Sequence, residues 1–93
     1  MRLDFEWDPN KAEKNLKKHH VSFEEASSVF DDPLSANIED ATHSTKERRF
    51  LIIGYSIAHR ILLVVYNERG GNIRIISARP ATRQEVEIYE EGE

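Results

Sequence analysis

Residues 60–79 read RILLVVYNERGGNIRIISAR, and the way this stretch folds decides the architecture of the chain. Two runs rich in Ile, Leu, Val and Tyr flank Gly70-Gly71, a dipeptide that supplies the positive φ of a two-residue turn. The stretch is therefore expected to be a β-hairpin. It also carries Arg60, Arg69, Arg74 and Arg79. Strands this apolar are usually buried, and a buried strand has little use for guanidinium groups. The pattern raises the question of which anion these arginines meet.

A two-residue loop sets Arg69 opposite Asn72, Asn67 opposite Arg74, Tyr66 opposite Ile75 and Leu62 opposite Arg79. Opposed residues share a face of the sheet, and diagonal neighbours lie about 7–8 Å apart. Arg60 is then expected beside Arg79 at the end of the hairpin away from the turn, with Arg83 joining from the following segment. Three mutually repelling cations suit a phosphodiester, which fixed donors hold while they stabilise charge developing on phosphorus. Tyr89, further along the same segment, brings a phenol to that end. In the opposing reading Arg60 and Arg83 merely pair with Glu85, Glu87 or the acidic tail. A change of register by one residue would undo the convergence.

A second grouping belongs to the turn end: Glu68, Arg69, Arg48 and His43. Glu68 and His43 are conventional acid/base residues, so this group offers proton transfer. Charges there also serve as ordinary protection of an exposed sheet edge. The first grouping is preferred.

Outward from the hairpin, RLDFEW (2–7) alternates Leu3, Phe5 and Trp7 with polar residues, the period of a half-buried strand. Asp8 is a good N-cap and Pro9 suits the first helical position, so a helix is expected to follow, with Ala12, Leu16 and His19 turned inward. Lys11, Lys14, Lys17 and Lys18 cover its outside and read as a solvated face in preference to an RNA contact. VSFEEASSVFDDP (21–33) reads as a second helix, opened by a Ser22–Glu25 capping box and ended before Pro33. Phe23, Ala26, Val29 and Phe30 recur at helical spacing and are expected in the core.

LSANIED (34–40) is a candidate edge strand, ATHSTKE (41–47) a polar loop and RRFLIIGYSI (48–57) another strand. The final PATRQEVEIYEEGE (80–93) is helix-forming, with Pro80 near its start and Gly92 near its end. The expected fold is α+β: an antiparallel sheet of about four strands plus an N-terminal strand, two N-terminal helices and a C-terminal helix.

Ninety-three residues fit one domain spanning 1–93. Without cysteine, disulfides, thiolate metal sites and thiol catalysis are excluded. No apolar run approaches a membrane span and the N-terminus is unlike a signal peptide, so a soluble cytoplasmic protein is expected. His19 and His20 have no second histidine at ligand spacing, so neither a metal nor another cofactor is predicted.

The net charge is −4, which at face value argues against nucleic acid. The distribution differs: residues 1–42 carry −5, residues 43–83 carry +6 and residues 84–93 carry −5. Seven of the eight cations in the middle segment are arginine, the side chain that grips phosphate bidentately. On charge alone, an anion site and an ordinary mixed surface are equally good readings. Direct DNA binding by this chain is not expected, since no helix carries base-reading polar residues beside its cations.

Three segments together resemble a known family: FEWDPNKAEKNLKKHHVSFEEA (5–26), ERRFLIIGYS (47–56) and RILLVVYNERGGNIRIISARPATRQEVEIY (60–89) look like the BrnT toxins of bacterial type II toxin–antitoxin systems. The resemblance implies a RelE-like fold, a ribonuclease that cuts RNA and inhibits translation, and neutralisation in a hetero-oligomeric complex with a ribbon-helix-helix antitoxin. It also implies a metal-independent site of basic residues with a tyrosine near the C-terminus. The expected mechanism is attack of a ribose 2′-OH on the adjacent phosphorus. Arg60 and Arg79 would stabilise charge, Arg83 would hold a flanking phosphate and Tyr89 or Glu68 would assist proton transfer, with Arg69, Arg74, Arg48 and His43 contacting RNA. The alternative from another class is a non-catalytic module whose basic face docks an acidic partner segment or RNA.

Overall fold

The computed structural model describes residues 3–40 and 48–92. The hairpin forms as expected, from β4 (Ile61–Arg69) and β5 (Asn72–Pro80), with Gly70 at φ 57° and Gly71 at φ 87° in the turn. Both values lie in the left-handed region that glycine enters without a Cβ penalty. β3 (Arg49–Tyr55) pairs antiparallel with β4, and β2 (Ala36–Asp40) pairs antiparallel with β3 as the outer edge. The N-terminal strand β1 is only Phe5–Glu6 and lies parallel to β5, so the sheet runs β1-β5-β4-β3-β2. Leu3, expected in that strand, lies outside it and is exposed.

The hairpin register departs from a uniform ladder at one point. From the turn to Tyr66–Ile75 the pairs are those expected, but Val65 then opposes Ser77 and Leu63 opposes Arg79. Ile76 is the extra residue of a β-bulge. Beyond a bulge each side chain of the bulged strand changes face relative to a regular ladder. Arg79 therefore shares a face with Leu63, and Leu62 meets Pro80 instead. The expected Leu62–Arg79 pairing is corrected, and the convergence built on it fails with it.

Helices cover the two faces unequally. α1 (Pro9–His19) and α2 (Phe23–Ser28), the latter continued by a 3₁₀ turn at Val29–Asp31, pack on one face. There Val21, Phe23, Ala26, Val29, Ile52, Leu62, Val64, Tyr66, Ile73, Ile75 and Ala78 form the main core. Phe5, Phe30, Tyr66 and Phe50 extend it as a chain of aromatic contacts, with centroids 4.9–5.5 Å apart. On the other face, among the described residues, only the short α3 (Arg83–Glu91) lies against the sheet, burying Ile53 and Leu63 beneath Tyr89.

The helix starts follow local chemistry. Asp8 Oδ1 accepts from Asn10 N at 2.8 Å with Pro9 in the first turn, and Ser22 Oγ accepts from Glu25 N at 3.0 Å. α3 begins three residues after Pro80, which closes β5; Thr82 caps it in a full capping box with Glu85. Within α1 the inward side differs from expectation: Leu16 is 48% exposed whereas Asn15 is only 8% exposed. Asn15 reaches the backbone of Ala78, accepting from its N–H at 3.1 Å and donating to its C=O at 2.8 Å, and it also donates to Val21 O at 3.0 Å. β1 pairs only with Ile73 and Arg74, so among the described residues the rest of that β5 edge has no strand neighbour. The Asn15 amide stands in for one there and pins α1 to the sheet.

Candidate nucleic-acid interface

Side-chain alternation and the bulge together determine where the arginines point. In β3, Arg49 follows the parity of Leu51 and Ile53; in β4, Arg69 follows that of Leu63, Val65 and Asn67. In β5, Arg74 lies before the bulge opposite Asn67, and Arg79 lies after it opposite Leu63. Arg49, Arg69, Arg74 and Arg79 thus share the face left open by α1 and α2. Leu51, Val65 and Ser77, half-buried, form the floor between them. Arg74 and Arg79 are five residues apart, a separation that places two side chains on opposite faces of a regular strand; the bulge brings them to the same one.

Two of these guanidinium groups already hold carboxylates. Arg79 forms a two-pronged pair with Glu85, 2.7 Å from Nη1 to Oε1 and 2.8 Å from Nη2 to Oε2. Glu85 also accepts from Thr82 N at 2.8 Å. The Arg79 hydrogen bonds, with the Thr82 contact, hold the Glu85 carboxyl below its ordinary range, and the same pairing raises Arg79. Arg74 donates to Glu6 at 2.9 Å, Asn72 to Glu6 at 3.3 Å, and Arg69 adds a longer-range attraction, so Glu6 is lowered too. The fork on Arg79 matches a carboxylate and would match two phosphate oxygens equally well.

Arg60 belongs elsewhere. Its Nε and Nη2 donate to Glu25 at 2.8 and 2.7 Å, and Nη2 also donates to His20 O at 2.6 Å, on the side of the sheet where α1 and α2 pack. Ser56 Oγ donates to the same carboxylate at 2.7 Å. The Arg60 hydrogen bonds hold Glu25 below its usual range, with Ser56 assisting. Glu25, expected to complete a capping box, is drawn to this stronger charged partner while only the Ser22 half of the box forms. Arg60 and Arg79 therefore lie on opposite faces, joined to α2 and α3 respectively, and the expected cluster of Arg60, Arg79 and Arg83 does not assemble. Arg83 opens α3, exposed and without an ion pair among the described residues.

Tyr89 is 6% exposed and its hydroxyl donates to Asp32 Oδ2 at 2.7 Å. Asp32 further accepts from Tyr55 N at 2.8 Å and Leu34 N at 2.9 Å. Burial pushes the Asp32 carboxyl up, but these three hydrogen bonds outweigh it and the net direction is down. The Tyr89 phenol thus fastens α3 to the end of the sheet.

The turn-end grouping also divides. Glu68, opposite Ile73, points to the helix-covered face, where burial, with the Glu68 charge assisting, raises the Tyr66 phenol. Arg48 donates through Nε to Glu39 at 2.9 Å and lies over Phe50, on that same side, while Arg69 projects from the open face. His43 lies outside the described residues. Arg49 was not singled out by the sequence reading, although its spacing from Leu51 and Ile53 carried the signal.

Glu25, Glu85 and Asp32 all have lowered values in the fold, so the sign of their pH dependence is fixed. Their contribution is complete above the unfolded values, 4.5 for glutamate and 3.8 for aspartate, and is lost as pH falls through the lower folded values. The urea midpoint is expected to hold steady from neutrality to about pH 5 and to fall below about pH 4. A Glu25→Gln/Glu85→Gln variant should start lower and fall less. Each pair spans partly exposed groups, so after screening the difference is on the order of 1 kcal/mol per pair. An equally steep acid limb in the variant would show that these pairs do not drive it.

Comparison with solved structures bears on the fold. The chain matches the crystal structure of the Brucella abortus ribonuclease toxin, BrnT, with a TM-score of 0.67 at 20% sequence identity, covering 88% of this chain and 100% of that one. That likeness establishes the fold. Residues 7–85 match the family described as "Ribonuclease toxin, BrnT, of type II toxin-antitoxin system", and the chain belongs to that family. It is accordingly a toxin of the ribonuclease class, whose type II organisation implies a cognate antitoxin. No curated protein matches it by sequence. No helix among the described residues is long and apolar enough to cross a membrane.

Proposed function

We propose that the open, arginine-bearing face of the sheet binds and cleaves RNA without a metal ion, and that the cleavage inhibits translation. The observation that carries this reading is the bulge at Ile76, which sets Arg79 on the same face as Arg49, Arg69 and Arg74. The guanidinium groups supply the fixed positive charge that phosphoryl transfer needs.

In this mechanism an RNA phosphate takes the place of Glu85 on the Arg79 fork. Glu85, released from the partner that chiefly lowers it, becomes a stronger base beside the phosphate. It accepts the proton of the ribose 2′-OH, O2′ bonds to phosphorus, and the 5′-oxygen leaves and takes a proton from water. The products are a 2′,3′-cyclic phosphate and a free 5′-OH. Arg79 stabilises the negative charge on the pentavalent phosphorus, and Arg74 and Arg83 hold flanking phosphates. Tyr89, Arg60, Glu68 and Arg48 act through the fold in this scheme. The antitoxin of the complex carries a ribbon-helix-helix part and silences the toxin by covering the arginine face.

One observation favours a second reading. Arg74 and Arg79 both already hold carboxylates, which suits a face that docks an acidic segment without chemistry. Incubating purified protein with labelled RNA and excess EDTA separates the two. Fragments ending in a 2′,3′-cyclic phosphate are expected from the nuclease. Intact RNA, with or without added divalent metal, would leave the binding module; cleavage only with metal restored would sink the metal-independent mechanism.

A further inference from the structure

The lysines of α1, read from sequence as a solvated face, border a cavity. It has a volume of about 230 Å³ and is lined by Lys11, Lys14, Asn15, Lys18, His19, Ile76 and Ser77. Three facts set this place apart from an ordinary charged helix surface. Lys11, Lys14 and Lys18 follow i, i+3, i+7 spacing and so occupy one side of the helix. Lys17, off that side, pairs with Glu13 at 3.2 Å, whereas the three cavity lysines have no ion pair among the described residues. The floor is the bulge of β5: Ser77 pairs with Val65 on the open arginine face and also lines the cavity, so the two surfaces are continuous around the β5 edge.

We infer that this cavity is a second phosphate-binding site, which holds the backbone of an RNA strand as it leaves the arginine face over the β5 edge. The inference rests on the proposed RNA-cleaving role of that face. Lys11 to Lys18 spans about 10 Å along the helix, at about 1.5 Å per residue, which exceeds one phosphate group and suits a chain of them. A protein of net charge −4 gains little from long-range attraction, so a polyanion needs local cation tracks of this kind. Asn15, by binding Ala78, keeps the helix and its lysines at the edge. The site positions substrate and takes no part in bond breaking.

The test uses the full chain and a Lys11→Gln/Lys14→Gln/Lys18→Gln variant, with a long single-stranded RNA and a dinucleotide as substrates. The variant is expected to raise KM for the long RNA several-fold at unchanged kcat, and to leave dinucleotide cleavage as it was. The slope of log affinity against log salt for the long RNA should fall by about 2, three phosphate contacts at about 0.7 each for a single strand. An unchanged slope overturns the inference while leaving the nuclease reading intact. A variant that binds RNA normally but loses its antitoxin also overturns it, assigning the cavity to the protein partner. RNA binding without cleavage by the wild type removes the nuclease reading, and the salt slope still decides this one. No RNA binding by the wild type overturns both.

Discussion

Arg79→Ala is expected to slow RNA cleavage by about 10²–10³-fold, the scale on which a single fixed donor at a developing oxyanion contributes. The loss should fall mainly on kcat, since Arg69, Arg74 and the α1 lysines remain to bind the strand. Arg79→Lys should recover only part of it. A lysine keeps the charge but gives up the planar two-pronged geometry that the Glu85 contact displays. Stability offers an internal control: Glu85 keeps its Thr82 contacts in the variant, so unfolding should change by only on the order of 1 kcal/mol. Arg60→Ala makes the sharper comparison. That residue sits on the helix-covered side with Glu25, so its variant should be less stable yet still cut RNA once folded. Equal losses of activity in the two variants would refute the assignment of the open face. A single-turnover assay at saturating protein, run beside a urea titration, separates these effects.

Asn15→Leu is expected to cost about 3 kcal/mol of stability, because its amide satisfies three buried backbone groups: the N–H and C=O of Ala78 and the C=O of Val21. Ala78 is 1% exposed and Val21 0% exposed, so water does not readily take the place of the amide. A loss of this size lowers the melting temperature by roughly 12–24 °C for a domain near this length. Leu16→Asn, one position along and on the exposed side, should be almost silent. A melting temperature for Asn15→Leu within a few degrees of wild type would mean that the β5 edge finds other partners.

Much of the fold was legible because its punctuation is chemical and local. Asp8-Pro9, Ser22 and Gly70-Gly71 mark boundaries through caps and a positive φ, and each has the geometry its residues require. The bulge was not legible. Ile76 is an ordinary strand residue, with no glycine or proline to announce an added position, so a uniform ladder was extended past the point where it slips. That slip reshaped the candidate site, because it carried Arg79 away from Arg60. Asn15 was hidden for a different reason: in a lysine-rich helix a single amide reads as one more polar residue, while the neighbouring Leu16 draws the apolar stripe. Arg49 was legible in principle from its alternation with Leu51 and Ile53 in the expected strand 48–57. The partners of Arg60 and Arg74 depended on long-range placement, whereas that of Arg79 lies only six residues on. Glu25 and Arg60 are separated by 35 residues, and the capping signature of Glu25 pointed to a local role.

The parallel pairing of Phe5 with Ile73 also bears on the order in which the molecule assembles. β3, β4 and β5 are sequence neighbours joined by short turns, so their ladder closes at small entropic cost and can form early. β1 has its strand partner, and Asn15 its Ala78 contact, only when β5 is in place, across 63 residues in the second case. During synthesis the N-terminal quarter must therefore wait until most of the chain has emerged. Until then β1 lacks its strand partner and α1 lacks the anchor that Asn15 makes on the β5 edge. Ile75 and Ala78, the β5 share of the core, arrive with that same late strand, so a chain cut short before β5 lacks both the anchor and part of the core and is expected to be prone to aggregation.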